Sequence, residues 1–243
     1  MERKNTALIV IDVQNGFDRS LYGPTANPHA EANVSRLIDE WAERRLGPLV
    51  IVRHDSPNPF SPLHPGSPGN ELKEAVARAE ADLTISKHVN SAFHGNPDLH
   101  AWLGRLRIES LVLCGIQTNM CVETTARMAG NLGYDVTMAF DATRTFDIDV
   151  EIPGLGRMRA SAEDLMRATA MNLAAGGFAK VRTTADILSR QLTSQGPAAG
   201  SKEHALFVRW PRSNFPFQSD SPAQRSFCAD KLLEPSDRTH TAI

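Results

Sequence analysis

The sequence predicts a three-layer α/β/α fold built on a mainly parallel six-stranded sheet. Short apolar runs without polar alternation recur along the chain, as strands buried on both faces require. Between them lie segments whose apolar residues fall at i, i+3, i+4 and i+7. Strands therefore alternate with amphipathic helices, and the crossovers are right-handed.

The first apolar run, Ala7-Leu8-Ile9-Val10-Ile11, ends in Asp12. Ligands bind at the carboxyl ends of parallel strands, so Asp12 is either a site carboxylate or the cap of the following turn. Asn27-Pro28 reads as the N-cap and first residue of a helix that buries Val34, Leu37, Ile38 and Trp41. Leu49-Val50-Ile51-Val52 is the second strand. The stretch after it, RHDSPNPFSPLHPGSPGN over residues 53–70, holds too much proline, glycine and serine for helix or strand. It is expected to wall a substrate pocket. His54, Asp55 and His64 lie in it, but their spacing matches no metal motif, so the expectation is no metal and solvated or structural roles.

Residues 72–81 read as a short alanine- and charge-rich helix, and 82–87 as a third strand ending in Lys87. Lys87 is either an ordinary solvated lysine or, if it lies beside Asp12 and Cys121, a charge that holds a thiolate. A turn over residues 91–95 leads to Asn96-Pro97, read as the start of a helix that buries Leu99, Trp102, Leu103 and Leu106.

The stretch LVLCGIQTNMCVETTARMAGNL over residues 111–132 passes from a buried fourth strand, through a turn at Gly115, into a helix from about Asn119. Cys121 falls in its first turn. The unpaired N–H groups and the helix dipole there favour a thiolate, the nucleophilic form. The other reading of Cys121 is a small buried apolar residue. Val122, Ala126, Ala129 and Leu132 form a narrow face for close packing on the sheet.

Residues 135–141 are the fifth strand, and 147–160 read as a glycine-rich loop. Ser161-Ala162-Glu163-Asp164 is a capping box. Its helix buries Ala162, Leu165, Met166, Thr169 and Leu173 and ends at Gly176-Gly177. Residues 178–181 are the sixth strand and 184–191 the last helix.

Composition narrows the function classes. With 243 residues, 41% of them hydrophobic, and a net charge of −2, the chain is long enough for a substantial core and carries no basic patch. No nucleic-acid partner is expected, since basic residues are scattered and not interleaved with aromatics. No apolar run approaches a membrane span, and no signal-peptide core precedes the first strand, so no membrane partner and a cytoplasmic location are expected. Three cysteines, Cys114, Cys121 and Cys228, without C-x-x-C spacing argue against a disulfide framework and a structural zinc site. The domain is expected over residues 1–192. From 193 to 243 the chain is rich in Pro, Ser, Gln and Arg without periodicity and reads as a poorly ordered extension. Phe207, Trp210, Phe215 and Phe217 leave open its docking on the body or on a second subunit.

Three stretches, ALIVIDVQNGF, SKHVNSAFHG and LVLCGIQTNMCVETTARMAGNLGYDV, resemble the isochorismatase-like cysteine hydrolases in order and spacing over about residues 6–190. The resemblance implies a Rossmann-like α/β/α fold and a catalytic Cys-Asp-Lys triad at Cys121, Asp12 and Lys87. It implies a cis peptide between Ile116 and Gln117, and an oxyanion hole from the backbone N–H groups of Gln117 and Cys121. Cys121 would attack the carbonyl carbon of a C–N bond while Asp12 carries the proton and Lys87 keeps both groups ionised. Asn90, Ser91, Phe93 and Gln117 fall at substrate-binding positions; the alternative for each is a packing or turn role.

The metal-binding nicotinamidases carry an Asp-x-His pattern that RHDSPNPFSPLH does not reproduce, which points away from nicotinamide; no cofactor is expected. Retention of Cys121 points away from the ether-cleaving isochorismatases and towards small amide, ureido or carbamoyl substrates. A homo-oligomer is expected, as is common in such families. Two other readings stay open, a thiol sensor and a non-catalytic binding protein on the same fold.

Overall fold

A computed structural model describes residues 6–193. Apart from Thr193, the expected extension lies outside the described residues, as do Cys228 and the four aromatic residues of the tail.

The expected six-stranded sheet is present, and every pairing in it is parallel. Its strands are β1 (Thr6–Ile11), β2 (Leu49–His54), β3 (Leu83–Lys87), β4 (Ser110–Ile116), β5 (Asp135–Arg144) and, after a hairpin, β8 (Lys180–Arg182). They lie in the order β3-β2-β1-β4-β5-β8. β1 lies in the middle of the sheet and the later strands wind outwards to both edges, which places the switch point beside β1. That is where ligands bind in sheets of this kind.

The layers follow from alternation along the strands. Ala7, Ile9 and Ile11 of β1 point to one face, against α3 (Leu99–Arg105), α4 (Glu123–Asn131) and α5 (Ala162–Ala175). Leu8 and Val10 point to the other, against α1 (Ala30–Glu43), α2 (Glu74–Ala77) and α6 (Thr184–Thr193). With both faces covered, β1 is apolar from Ala7 to Ile11, and the half-buried Thr6 at its start is its one polar residue before Asp12. Val122, Ala126 and Ala129 are fully buried on the sheet, whereas Leu132 is exposed at the far end of α4. Leu165 is only half-buried on the face where Ala162, Met166, Thr169 and Leu173 are buried.

Several local expectations are corrected. Residues 148–160 are no loop but an antiparallel hairpin, β6 (Ile148–Ile152) with β7 (Gly156–Ala160), turning through Pro153 and Gly154. The Ile-Asp-Val-Glu-Ile alternation is the period-2 signal for it. Asn27 does not cap α1, which begins at Ala30. Asn27 is held in the left-handed region (φ 57°), and its amide donates to the carbonyls of Asp141 and Thr143. Asn96-Pro97 is a cis peptide before α3, and the cap is Asp98, whose carboxylate accepts from the Ala101 N–H. The expected helix over 72–81 shrinks to one turn, Glu74–Ala77. The Ser161 cap is as expected, its hydroxyl accepting from the Asp164 N–H.

Among the described residues, no helix is long and apolar enough to cross a membrane.

Candidate active site

Four strand ends build the site. β1 stops at Ile11, and Asp12 turns out of the sheet in the left-handed region (φ 52°), its N–H held by the Val52 carbonyl at 2.9 Å. Asp is one of the few side chains that tolerate this conformation. β2 and β3 end in register, with His54 opposite Lys87, so both side chains leave the sheet on one side. β4 runs beside β1 with Ile11 opposite Gly115. A Cβ on Gly115 would lie 2.0 Å from the Ile11 carbonyl oxygen, so only glycine lets the two strand ends close up next to Asp12.

After β4 the Ile116–Gln117 peptide bond is cis, as the sequence resemblance implies. The chain then makes a single π-helical turn, Thr118–Val122, before α4. Such turns are rare and recur at functional sites. The turn is fixed from the end of β5 and the residue after it: Thr118 Oγ1 donates to Thr143 Oγ1 at 3.0 Å, and Thr145 Oγ1 donates to Asn119 Oδ1. It brings Cys121 back over the ends of β1 and β3.

Asp12, Lys87 and Cys121 meet there, 75 and 34 residues apart in the chain. Lys87 Nζ lies 2.6 Å from Asp12 Oδ2 and 3.3 Å from Cys121 Sγ. Asp12 and Lys87 are completely buried and Cys121 is 7% exposed. Asp12 Oδ1 is buried with no hydrogen-bond partner among the described residues. A buried carboxylate oxygen with a free lone pair is a proton acceptor in waiting.

The electrostatics correct the expectation of a resting thiolate. Burial pushes the Cys121 thiol up to about 12, and the neighbouring Asp12 carboxylate adds to the rise, against the opposing pull of Lys87. Burial also raises Asp12 above its ordinary value, with Lys87 pulling the other way. The helix-end effect is too weak to offset desolvation by a nearly closed site. The resting arrangement is therefore a thiol next to a carboxylate–ammonium pair, and the raised Asp12 is a better base than a solvated carboxylate. Cys114 is buried on β4 and raised further by burial alone, which makes it an inert core residue.

The other expected residues divide. Asn90 is brought in, its Oδ1 3.8 Å from Cys121 Sγ on the solvent side. Gln117 is half-buried in the turn, its Oε1 3.5 Å from Thr145 Oγ1. Ser91 is a cap: its hydroxyl accepts from the Phe93 N–H and contacts Met128 Sδ. Phe93 stacks on Tyr134 at 5.9 Å and is buried in the core. Asp55 is a lock between strand ends, taking hydrogen bonds from Arg53, Asn70 and Ser86. Burial alone would raise its carboxyl, but these bonds hold it below its ordinary value. The His64 ring bonds the Ser56 carbonyl within its own loop.

Sequence reasoning passed over Gln14 and Tyr22. Gln14 is fully buried and its side-chain amide clasps the His54 backbone, accepting from its N–H at 2.9 Å and donating to its carbonyl at 3.0 Å. Tyr22 packs with Phe17 and Phe146 beside Ile116. Burial raises its phenol, and the charge that Cys121 would carry raises it further. The one signal for Gln14 was a polar residue between a buried strand and an Asn-Gly turn.

One ligand atom each from Asp12, His54 and Cys121 falls within a 4.8 Å span, close enough to hold a metal ion. The centre of that group is taken by Lys87 Nζ, 3.1 Å from His54 Nδ1. A cation in the same space would have to displace the lysine, so the residues do not fit a resident metal.

The isochorismatase domain pattern matches residues 6–186. Over 146 residues the chain is 39% identical to the isochorismatase family protein YrdC of Bacillus subtilis, covering 60% of this chain and 76% of that one. It is 31% identical over 186 residues to Nicotinamidase 3 of Arabidopsis thaliana, covering 71% and 82%. The solved structure of an isochorismatase-family protein from Chromobacterium violaceum superposes with a TM-score of 0.71 at 35% identity, covering 79% of this chain and 96% of the other. The domain match, the wound parallel sheet and the relatives together make this chain a member of the isochorismatase family of hydrolases.

Proposed function

We propose that the protein is a cysteine hydrolase that cleaves a C–N bond in a small amide, ureide or carbamoyl compound. The observation that carries this reading is the contact of one buried ammonium with both a carboxylate (2.6 Å) and a thiol sulfur (3.3 Å) at the switch point of the sheet. A buried ion pair is costly to maintain for stability alone.

Cys121 Sγ attacks the carbonyl carbon and its proton passes to Asp12, Oδ1 being the free oxygen. The oxyanion that forms lies against the backbone N–H groups of Gln117 and Cys121, each worth about 3 kcal/mol where such donors have been removed. Collapse expels the amine, which takes the proton from Asp12, and leaves a thioester on Cys121. Asp12 then takes a proton from water as its oxygen attacks the thioester, and the proton returns to the departing sulfur. Lys87 stays positive throughout and balances whichever of Asp12 and Cys121 carries the negative charge.

The amide-directed reading draws support from the relationship to a nicotinamidase and from the retained cysteine. The test is ammonia release from a panel of small amides, ureides and carbamoyl compounds, with Cys121→Ser and Asp12→Asn as controls. Turnover lost in both variants, with folding intact, supports the reading. Turnover that survives in Cys121→Ser rules out the thioester route.

A further inference from the structure

We infer that His54 is a positioning residue of the site, the third acceptor for the Lys87 ammonium, and that it aims the other two N–H bonds of that group at Asp12 and Cys121. An ammonium has three donors and no acceptor. Here they meet three groups: Asp12 Oδ2 at 2.6 Å, His54 Nδ1 at 3.1 Å and Cys121 Sγ at 3.3 Å. Since Lys87 can only donate, Nδ1 accepts, and the imidazole proton is on Nε2.

The ring is held for this task by its backbone. β2 places His54 opposite Lys87 in the ladder. The Gln14 amide bonds both the N–H and the carbonyl of His54, and the Asn70 amide donates to the same carbonyl at 3.0 Å. Gln14 and Asn70 are themselves buried and joined, Gln14 Nε2 donating to the Asn70 carbonyl at 2.8 Å. Two side-chain amides from distant loops thus fix one histidine at the edge of the site, where a flexible residue would let Lys87 turn. Burial and the Lys87 charge hold the imidazole down to about 4, which keeps it neutral, and so an acceptor, at neutral pH.

The kinetic part of the test rests on the hydrolase reading; thiol alkylation does not. In His54→Leu one donor of Lys87 loses its acceptor in a buried site. The expected loss is about tenfold to a hundredfold in kcat with KM within a factor of about three, because the ground-state contacts to substrate are untouched. The rate of iodoacetamide alkylation at Cys121, read by mass spectrometry of the Cys121 peptide, falls in parallel. His54→Asn places an amide oxygen close to where Nδ1 was and restores both readouts to within about fivefold of the unmodified protein.

Urea unfolding of each variant separates these effects from loss of fold. If His54→Leu alkylates like the unmodified protein, His54 does not position the site. If His54→Asn falls as far as His54→Leu, the histidine acts by something other than acceptance at Nδ1. Activity abolished by a chelator and restored by zinc alone would make His54 a metal ligand and overturn the inference. If no substrate is turned over but alkylation still follows the acceptor, the hydrolase reading fails and this one stands.

Discussion

Lys87 Nζ and Asp12 Oδ2 are 2.6 Å apart, and neither side chain has any exposed surface. Two opposite charges withdrawn from water depend on each other, because either alone would be left unpaired in a low-dielectric interior. Lys87→Met is therefore expected to cost about 3–5 kcal/mol of stability at neutral pH. Lys87→Met combined with Asp12→Asn removes both charges and is expected to lose less than the lysine variant alone. Urea unfolding of the unmodified protein, the two single variants and the double variant checks this, and costs that simply add would show that the pair is not coupled.

The proton on Cys121 gives a second prediction. The thiol is raised to about 12 by burial, with Asp12 contributing. The ultraviolet thiolate band of the unmodified protein, minus that of Cys121→Ser, should stay flat from about pH 6 to about pH 10. Subtraction removes Cys114 and Cys228, which both proteins share. A step in the difference at neutral or acidic pH would mean a preformed thiolate, and Asp12 would then not be needed as the base for attack. On the present geometry Asp12→Asn should lower kcat by about a hundredfold or more, with Cys121 intact.

The strands and their parallel winding were legible in the sequence because those features are local, whereas Asp12, Lys87 and Cys121 stood there only as candidates at element ends, joined into one site by the family resemblance. A run such as Ala7-Leu8-Ile9-Val10-Ile11 announces burial on both faces by itself, and a residue closing such a run lies at the ligand end of the sheet. The parts that were not legible depend on distance. Gln14 finds its partners 40 and 56 residues away, and nothing near it in the chain indicates them. The state of the thiol depends on distance too: the helix end is written in the sequence, whereas the burial that raises Cys121 is the sum of many long-range contacts. The hairpin over 148–160 is a different failure. Its five-residue alternation is a short signal, and the glycines at 154 and 156 carry the opposite signal of loop chemistry.

Gly115 should be the least replaceable residue near the site. A methyl group there would enter the Ile11 carbonyl, which is backbone and cannot swing aside, and the φ of 123° disfavours any side chain. Gly115→Ala is expected to lose about 3 kcal/mol or more, from overpacking added to backbone strain. Thermal unfolding reads this directly. A variant that melts within a degree or two of the unmodified protein would show that β1 and β4 can part without cost, and the placement of Asp12 beside Cys121 would need another explanation.

The stability of the fold should carry the signature of His54. Its imidazole is ordinarily half-protonated at 6.5 but is held to about 4 in the folded protein, by burial first and by the Lys87 charge second. Between those values the unfolded chain binds a proton there that the folded chain does not. Stability therefore falls as pH drops from 6.5 towards 4, and the loss is complete below the folded value. Asp12 has the opposite sign, since its raised value means that the folded chain holds the extra proton, but its contribution is common to any pair of proteins that share it. The comparison that isolates His54 is with His54→Asn, which cannot titrate. The melting temperature of the unmodified protein should decline relative to that of His54→Asn as pH falls through this window, and the two should run parallel above about pH 7. Parallel curves throughout would mean that the imidazole takes up its proton in the folded site as easily as in water, and that Lys87 does not hold it neutral.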